Sequence, residues 1–283
     1  MNWDTRMTKQ ILLTNDDGIR SPGLWAAAQA LSELGFVHVV APRNQFSGAG
    51  RSLPGASTGI IDVQEIQVNA KTWTVYAVDG TPAQAVLHAI LEILPQVPDL
   101  LVSGINYGEN IGSDITISGT VCAALEGAVM GIPSLAVSLE TEAQHHYSYS
   151  NEVDFSAAAY FTAYFGELIL KRRFPPDVDL LKVDLPCDAT PQTRWAITRL
   201  SRQRYFVPTR PDRTSWDVPA RMGYRPISNQ EIKDIDSDAY ALRVKRIVSV
   251  TPLSLDMTSR IDLGEFENTL RESVEAQASK PSI

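Results

Sequence analysis

Two adjacent carboxylates, Asp16 and Asp17, follow the apolar run from Ile11 and precede Gly18. Neighbouring carboxylates repel each other, and a cation beside them relieves that cost, so the pair points to a metal site. An isolated Asp-Gly step is more commonly a plain turn, because both residue types favour turns. Two further hard oxygen donors stand in loop-like stretches downstream, Ser47 in APRNQFSGAGR and Asn106 in SGINYGENIG. Carboxylate, hydroxyl and amide oxygens suit Mg²⁺, Mn²⁺ or Ca²⁺, whereas zinc and copper want nitrogen or sulfur. Ser118, Gly119 and Thr120 open the apolar run TVCAALEGAVM. A helix that begins there directs free N–H groups and its positive end at a phosphate, although a single serine in this position is most often just an N-cap. A divalent cation beside a phosphate cradle implies metal-assisted hydrolysis of a phosphomonoester.

That chemistry requires loops far apart in the chain to meet. The run from Ile11 reads as a buried strand, after which Ser21 can cap a helix and Pro22 can sit in its first turn. Leu24, Ala27, Ala28, Leu31 and Leu34 share one helical face, and Gly35 supplies the stop. Val37 to Ala41 is a second strand, giving a βαβ unit whose parallel strands end on one edge. The loop after Ala41 therefore lies near the aspartates. Its Gly48-Ala49-Gly50 lacks the third glycine and the helix of a dinucleotide fingerprint, which belongs in the first strand-to-helix turn. Gly59 to Val78 is β-like, Thr81 and Pro82 open a helix that stops at Pro95, Leu100 to Val102 is a third apolar run, and Ser134 to Ser138 is a short strand.

Beyond these, Phe155 to Leu170 reads as an apolar helix and Leu180 to Leu185 as a strand. Arg194 to Met222, rich in Arg, Trp, Tyr and Pro, is expected to leave the core and touch another subunit. Ala239 to Val250 reads as a hairpin strand, and Leu263 to Ala276 as a polar helix with a weak apolar face. The expected class is α/β, a Rossmann-like doubly wound, mostly parallel sheet with C-terminal β-hairpin and helix extensions. Residues 9–187 form the expected core carrying the site. Residues 188–283 form the expected extensions (arm, β-hairpin and helix), which complete that core and mediate oligomerisation.

The 283 residues, 44% of them hydrophobic, suffice for a full core. A formal charge of -8 argues against a nucleic acid polymer as partner, since that grip needs a basic face. No stretch approaches the roughly 20 apolar residues of a membrane span. MNWDTRMTKQ has no apolar signal-peptide core, so a cytoplasmic location is expected, and residues 1 to 8 read as a polar tail. Cys122 and Cys187 make neither a disulfide framework nor a zinc cluster, and Cys122 reads as packing. His145 and His146 read as solvated surface, and His38 and His88 have no evident partner.

The strings ILLTNDDGIRSPG, VVAPRNQFSGAG, VDGTP, DLLVSGINYGENIG, SGTVCAALEGAVMGIPSLAVS and VSVTPLSLD together resemble the survival protein E family of metal-dependent nucleotidases, in the family's order. The resemblance implies a divalent cation, Mg²⁺ or Mn²⁺ with Ca²⁺ possible in crystals, on Asp16, Asp17, Ser47 and Asn106. It also implies a nucleoside 5′- or 3′-monophosphate substrate, sometimes short polyphosphate, and a homodimer or homotetramer built through C-terminal extensions. On this expectation Gly48, Ser118, Gly119 and Thr120 hold phosphoryl oxygens and Asn106 and Asn110 face the substrate, while Asp16 or Asp17 takes a proton from water. The chain departs from many relatives at Arg43, Asn44, Gln45 and Phe46, and at Ala83, Gln84 and Ala85, which bears on base preference and packing. Two alternatives stand beside this. One is an aspartyl-phosphate phosphatase with Asp16 as nucleophile, although that class sets its aspartates two apart so that both project the same way. The other is a nucleotide-binding protein without catalysis.

Overall fold

Apolar residues on both faces of successive strands demand helices on both faces of a sheet, and the computed structural model of the protein has that form. It describes residues 8–68, 71–146, 149–150 and 152–278. All but Thr8 of the expected N-terminal tail, and the last five residues of the expected extensions, lie outside the described residues. In chain order the first half contains β1 (Gln10–Thr14), α1 (Pro22–Leu31), β2 (Phe36–Pro42), β3 (Ile61–Val68), β4 (Lys71–Val78), α2 (Pro82–His88), β5 (Leu100–Tyr107), α3 (Gly119–Val129) and β6 (Ser134–Leu139). The second half adds α4 (Ser156–Lys171), β7 (Leu180–Leu185), β8 (Trp195–Ile197), β9 (Phe206–Thr209), β10 (Gly223–Pro226), α5 (Asp238–Arg243), β11 (Val248–Leu253) and α6 (Leu263–Ala278).

The main sheet runs β3-β4-β2-β1-β5-β6-β7-β11-β8. From β4 to β7 every neighbouring pair is parallel, while β3 and β11 pair antiparallel to that block and β8 follows β11. The chain builds outward from β1 through β2 to β4, then returns to place β5 on the other side of β1. The crevice beyond the carboxyl ends of β1 and β5 is thus a topological switch point, where open α/β sheets bind ligands.

Alternation within β1 explains the two layers. Ile11 and Leu13 join Leu24, Leu31, Phe161 and Phe165 of α1 and α4, whereas Leu12 joins Val86, Val121 and Ala124 of α2 and α3 on the opposite face. Each such leucine contributes on the order of 1.5–3 kcal/mol by leaving water. Helix starts follow the sequence signals. Thr81 accepts from the Gln84 N–H at 3.2 Å, and Gln84 accepts in return from the Thr81 N–H at 3.0 Å, with Pro82 in the first turn. Ser21 occupies the N-cap of α1 without a capping bond from its side chain.

Four sequence readings need correction. Ala239 to Val250 is not one hairpin strand. Ser237 accepts from the Tyr240 N–H at 3.1 Å and caps α5, whose Ala239 and Leu242 are buried at helical spacing, and the strand begins only at Val248. The hairpin lies instead at β9, inside the Arg194 to Met222 stretch, and β10, which starts just after it. His38 has a partner, its Nε2 lying 2.8 Å from Gln10 Oε1, and His88 pairs with Glu92 one turn on. His146 is half-buried and packs against Phe206 and Tyr224 rather than standing in solvent.

Lys182 of β7, fully buried, binds Asp184 and lies 3.1 Å from Asp238 of α5. Asp184 accepts from the Asn110 N–H at 2.7 Å, and Asp238 from the Gly112 N–H at 3.0 Å. One buried lysine thereby ties the loop after β5 to the C-terminal part of the chain. No helix among the described residues is long and apolar enough to cross a membrane.

Candidate active site

Asp16 and Asp17 stand in the loop just after β1, at the switch point, and are 4% and 2% exposed. Asp16 sits against the start of α3, where the Thr120 hydroxyl donates to its Oδ1 and the N–H groups of Gly119 and Thr120 turn toward it. Burial pushes its carboxyl up to about 6, against the pull of those donors. Gly119 is required by the closeness of this contact, because a Cβ there would stand 2.5 Å from Asp16 Cβ and 2.7 Å from its Oδ2. Ser118 is the N-cap, accepting from the Val121 N–H at 3.1 Å. The predicted cradle and the first predicted metal ligand are therefore one assembly, with the positive end of α3 aimed at Asp16.

Asp17 is held from two other loops. The Tyr107 N–H donates to its Oδ2 at 3.2 Å and the Gln45 amide to its Oδ1 at 3.0 Å, while Tyr149 donates its hydroxyl to the Asp17 carbonyl at 3.0 Å. Burial, followed by the charge on Asp16, raises the Asp17 carboxyl well above its ordinary range. Asn106, on β5 beside Tyr107, donates its amide to the Gly108 carbonyl at 2.7 Å and the Tyr107 carbonyl at 3.3 Å, so its amide oxygen is the end turned away from these contacts.

Ser47 is exposed, but its loop is pinned at both ends. The Phe46 N–H donates to the Asp16 carbonyl at 2.7 Å, and the Gly50 N–H donates to the Ile117 carbonyl at 3.0 Å. Ser47 and Gly48 are thus strung between the aspartates and the residue before Ser118. Arg51 adds a clamp by pairing with the buried Glu126 of α3. Asn110 is committed differently from the expectation, since its amide donates to Ser138 Oγ at 2.8 Å and its N–H to Asp184. Burial raises the Cys122 thiol to about 11, consistent with a packing role.

The donor set fits a hard divalent cation. Two buried carboxylates have no basic partner among the described residues, and a hydroxyl and an amide oxygen are carried by the adjoining loops. No group of three or more His, Cys, Asp or Glu side chains placed for a metal occurs among the described residues, as expected for a set with just two carboxylates. Sequence reasoning missed Gln45, Tyr107 and Tyr149. Tyr107 acts on Asp17 through its backbone, which carries no residue signature, and Gln45 is one of the departures noted above.

A doubly wound sheet with paired carboxylates at its switch point, facing a helix N-terminus, defines a phosphate-handling α/β protein of the metal-dependent kind. The comparisons with known proteins narrow this. The family model described as "Survival protein SurE" matches residues 11–207. A relative named "5'-nucleotidase SurE" from Thermococcus gammatolerans is 44% identical over 92% of this chain and 96% of its own length. Another of the same name, from Archaeoglobus fulgidus, is 42% identical over 91% of this chain and 96% of its own length. The crystal structure of the SurE protein from Aquifex aeolicus superposes with a TM-score of 0.72 at 31% identity, covering 92% of this chain and 99% of that one. The chain belongs to the SurE family.

Proposed function

We propose that the protein is a divalent-cation-dependent phosphatase that converts nucleoside 5′-monophosphates, and 3′-monophosphates, to nucleoside and phosphate. The observation that carries this reading is the pair of buried carboxylates, without a basic partner among the described residues, at the switch point against the start of α3. The names of the SurE relatives supply the substrate class.

In this reading Asp16, Asp17, Ser47 and Asn106 hold Mg²⁺ or Mn²⁺. When bound, such an ion polarises a phosphoryl oxygen and lowers the pKa of a water. The rest falls to the chain itself. The Gly48 N–H and the Ser118 hydroxyl face the remaining phosphoryl oxygens and stabilise charge as it develops, whereas the Gly119 and Thr120 donors, expected to share that task, are turned to Asp16 and hold that carboxylate in place. One of the two aspartates takes the proton from the attacking water. Asn110 acts through the wall, holding Ser138 and the loop that carries Asn106. Residues 9–187 form the catalytic unit. Residues 188–283 complete the sheet through β8 and β11 and join copies into a homodimer or homotetramer, a role suited to Trp216 and Met222, 94% and 75% exposed.

The test is phosphate release from a nucleoside monophosphate panel with Mn²⁺, with and without chelator, for the protein and for Asp17→Asn. The variant is expected to lose turnover and to lose the rise in melting temperature on adding Mn²⁺. Unchanged turnover would reject the ligand role.

A further inference from the structure

Beside the carboxylate site lies a cavity of about 660 Å³, walled by Glu109, His146, Tyr205, Phe206, Tyr224 and Arg243. It shares a partition with the carboxylate site. The Gln45 amide that donates to Asp17 at 3.0 Å also donates to the His146 carbonyl at 2.6 Å. The His146 ring lies so close to Gly108 that a Cβ on that glycine, whose φ is +100°, would stand 2.7 Å from Nε2. Glu109 is three residues beyond Asn106 on the same stretch of chain.

One wall of the cavity is aromatic. The His146 and Tyr224 rings lie within 13° of parallel, joined by a 3.0 Å contact between Nδ1 and the tyrosine hydroxyl, and Phe206 stands edge-on to both. The rest of the lining includes polar residues. Glu140 there is fully engaged, by Arg243, Arg246 and the Cys187 N–H. Its neighbours are not. Glu109 Oε2, Thr141 Oγ1 and Arg243 Nε are buried without a hydrogen-bond partner among the described residues. Glu109 is 6% exposed and Tyr205 1%, and the Tyr205 hydroxyl lies near the Glu109 carboxyl without meeting hydrogen-bond geometry. Unpaired buried polar groups are costly, and their gathering around a single cavity is what a ligand with its own donors and acceptors would relieve.

We infer that this cavity seats the nucleobase of the substrate, with the ring against His146, Phe206 and Tyr224 and its hydrogen-bonding edge toward Glu109 and Arg243. Planar aromatic walls and a few buried polar groups are the means by which proteins bind flat heteroaromatic rings. The inference rests on the nucleotidase reading and adds to it a specificity-determining residue, Glu109. It also assigns a function to the C-terminal segment, because Phe206, Tyr224 and Arg243 all lie beyond residue 187. The β9–β10 hairpin then determines which base is accepted, while the βα loops of the first half do the chemistry.

The test has two arms, applied to the full chain, to Glu109→Gln and to Tyr224→Ala, the latter at a position 38% exposed. Calorimetry with adenosine and guanosine reads base binding without any phosphate. Both are expected to bind the unmodified protein, and about tenfold more weakly to each variant. Steady-state kinetics then compare nucleoside 5′-monophosphates with ribose 5-phosphate, which has no base. The ratio of kcat/KM for nucleotide over ribose 5-phosphate is expected to fall about tenfold in each variant, chiefly through KM. Nucleosides that fail to bind the unmodified protein, or variants that change both substrates by the same factor, would overturn the assignment. If neither substrate releases phosphate, the phosphatase reading fails, and nucleoside binding alone supports or overturns the base pocket.

Discussion

Gly119→Ala is the sharpest perturbation the site offers, because one methyl group is set directly against a proposed ligand. The added Cβ would lie 2.5 Å from Asp16 Cβ and 2.7 Å from Oδ2, and Asp16 is the last place with slack, being buried and held by Thr120. Ordinary carbon contacts begin nearer 3.4 Å, so Asp16 or the first turn of α3 must retreat by about 1 Å in a close-packed region. Overpacking of this kind costs on the order of 1–3 kcal/mol of stability. A displacement of that size at a reacting centre lowers rate by about 10²-fold. The assay is Mn²⁺-dependent phosphate release alongside denaturant unfolding. Gly55→Ala serves as control, because a Cβ there meets nothing within 4 Å. The expected result is a variant that still folds, turns over about a hundredfold more slowly and binds Mn²⁺ more weakly, with the control unchanged. Full activity in Gly119→Ala would refute the claim that Asp16 against the α3 terminus is the centre of the chemistry.

Other expectations follow from the buried charges. Lys182→Met would leave Asp184 and Asp238 buried without their cation and should cost about 3–5 kcal/mol in urea unfolding, with slower turnover because the loop holding Asn110 hangs on Asp184. Glu109 has a carboxyl raised by burial from 4.5 to about 7, so its protonated form is favoured in the folded state. Its contribution to stability is therefore complete below pH 4.5 and lost as pH rises through 7, a swing of about 3 kcal/mol. Glu109→Gln should remove that part of the pH dependence, and a melting-temperature profile from pH 4 to 8 that keeps its slope in the variant would contradict the assignment.

Much of the site was legible in the residues themselves. Apolar runs ending in Asp, Asn, Ser and Gly mark strand ends, Thr-Pro and Ser-Gly-Thr mark helix starts, and right-handed βαβ connection forces parallel strand ends onto one edge. These are local rules, so they sufficed to bring Asp16, Asp17, the Ser47 loop, Asn106 and the start of α3 to one crevice. The doubly wound α/β class followed from the same signals. What local rules cannot carry is contact between segments distant in sequence. The Gln45 amide spans Asp17 and His146, the Tyr107 backbone N–H meets Asp17, and Lys182 binds Asp184 and Asp238, none of which leaves a periodic trace.

The C-terminal third shows the limit most plainly. Ala239 and Ala241 alternate with polar residues as a strand would, yet the Ser237 cap and the burial of Ala239 and Leu242 make a helix, a choice set by the surface it packs on. The half of this protein that carries Asp16, Asp17 and the start of α3 was legible in the sequence because strands, caps and turns are decided within a few residues. The cavity wall of Phe206, Tyr224 and Arg243 was decided by the tertiary structure alone, because only folding brings the ends of a 97-residue separation, from Glu109 to Phe206, into the lining of one pocket.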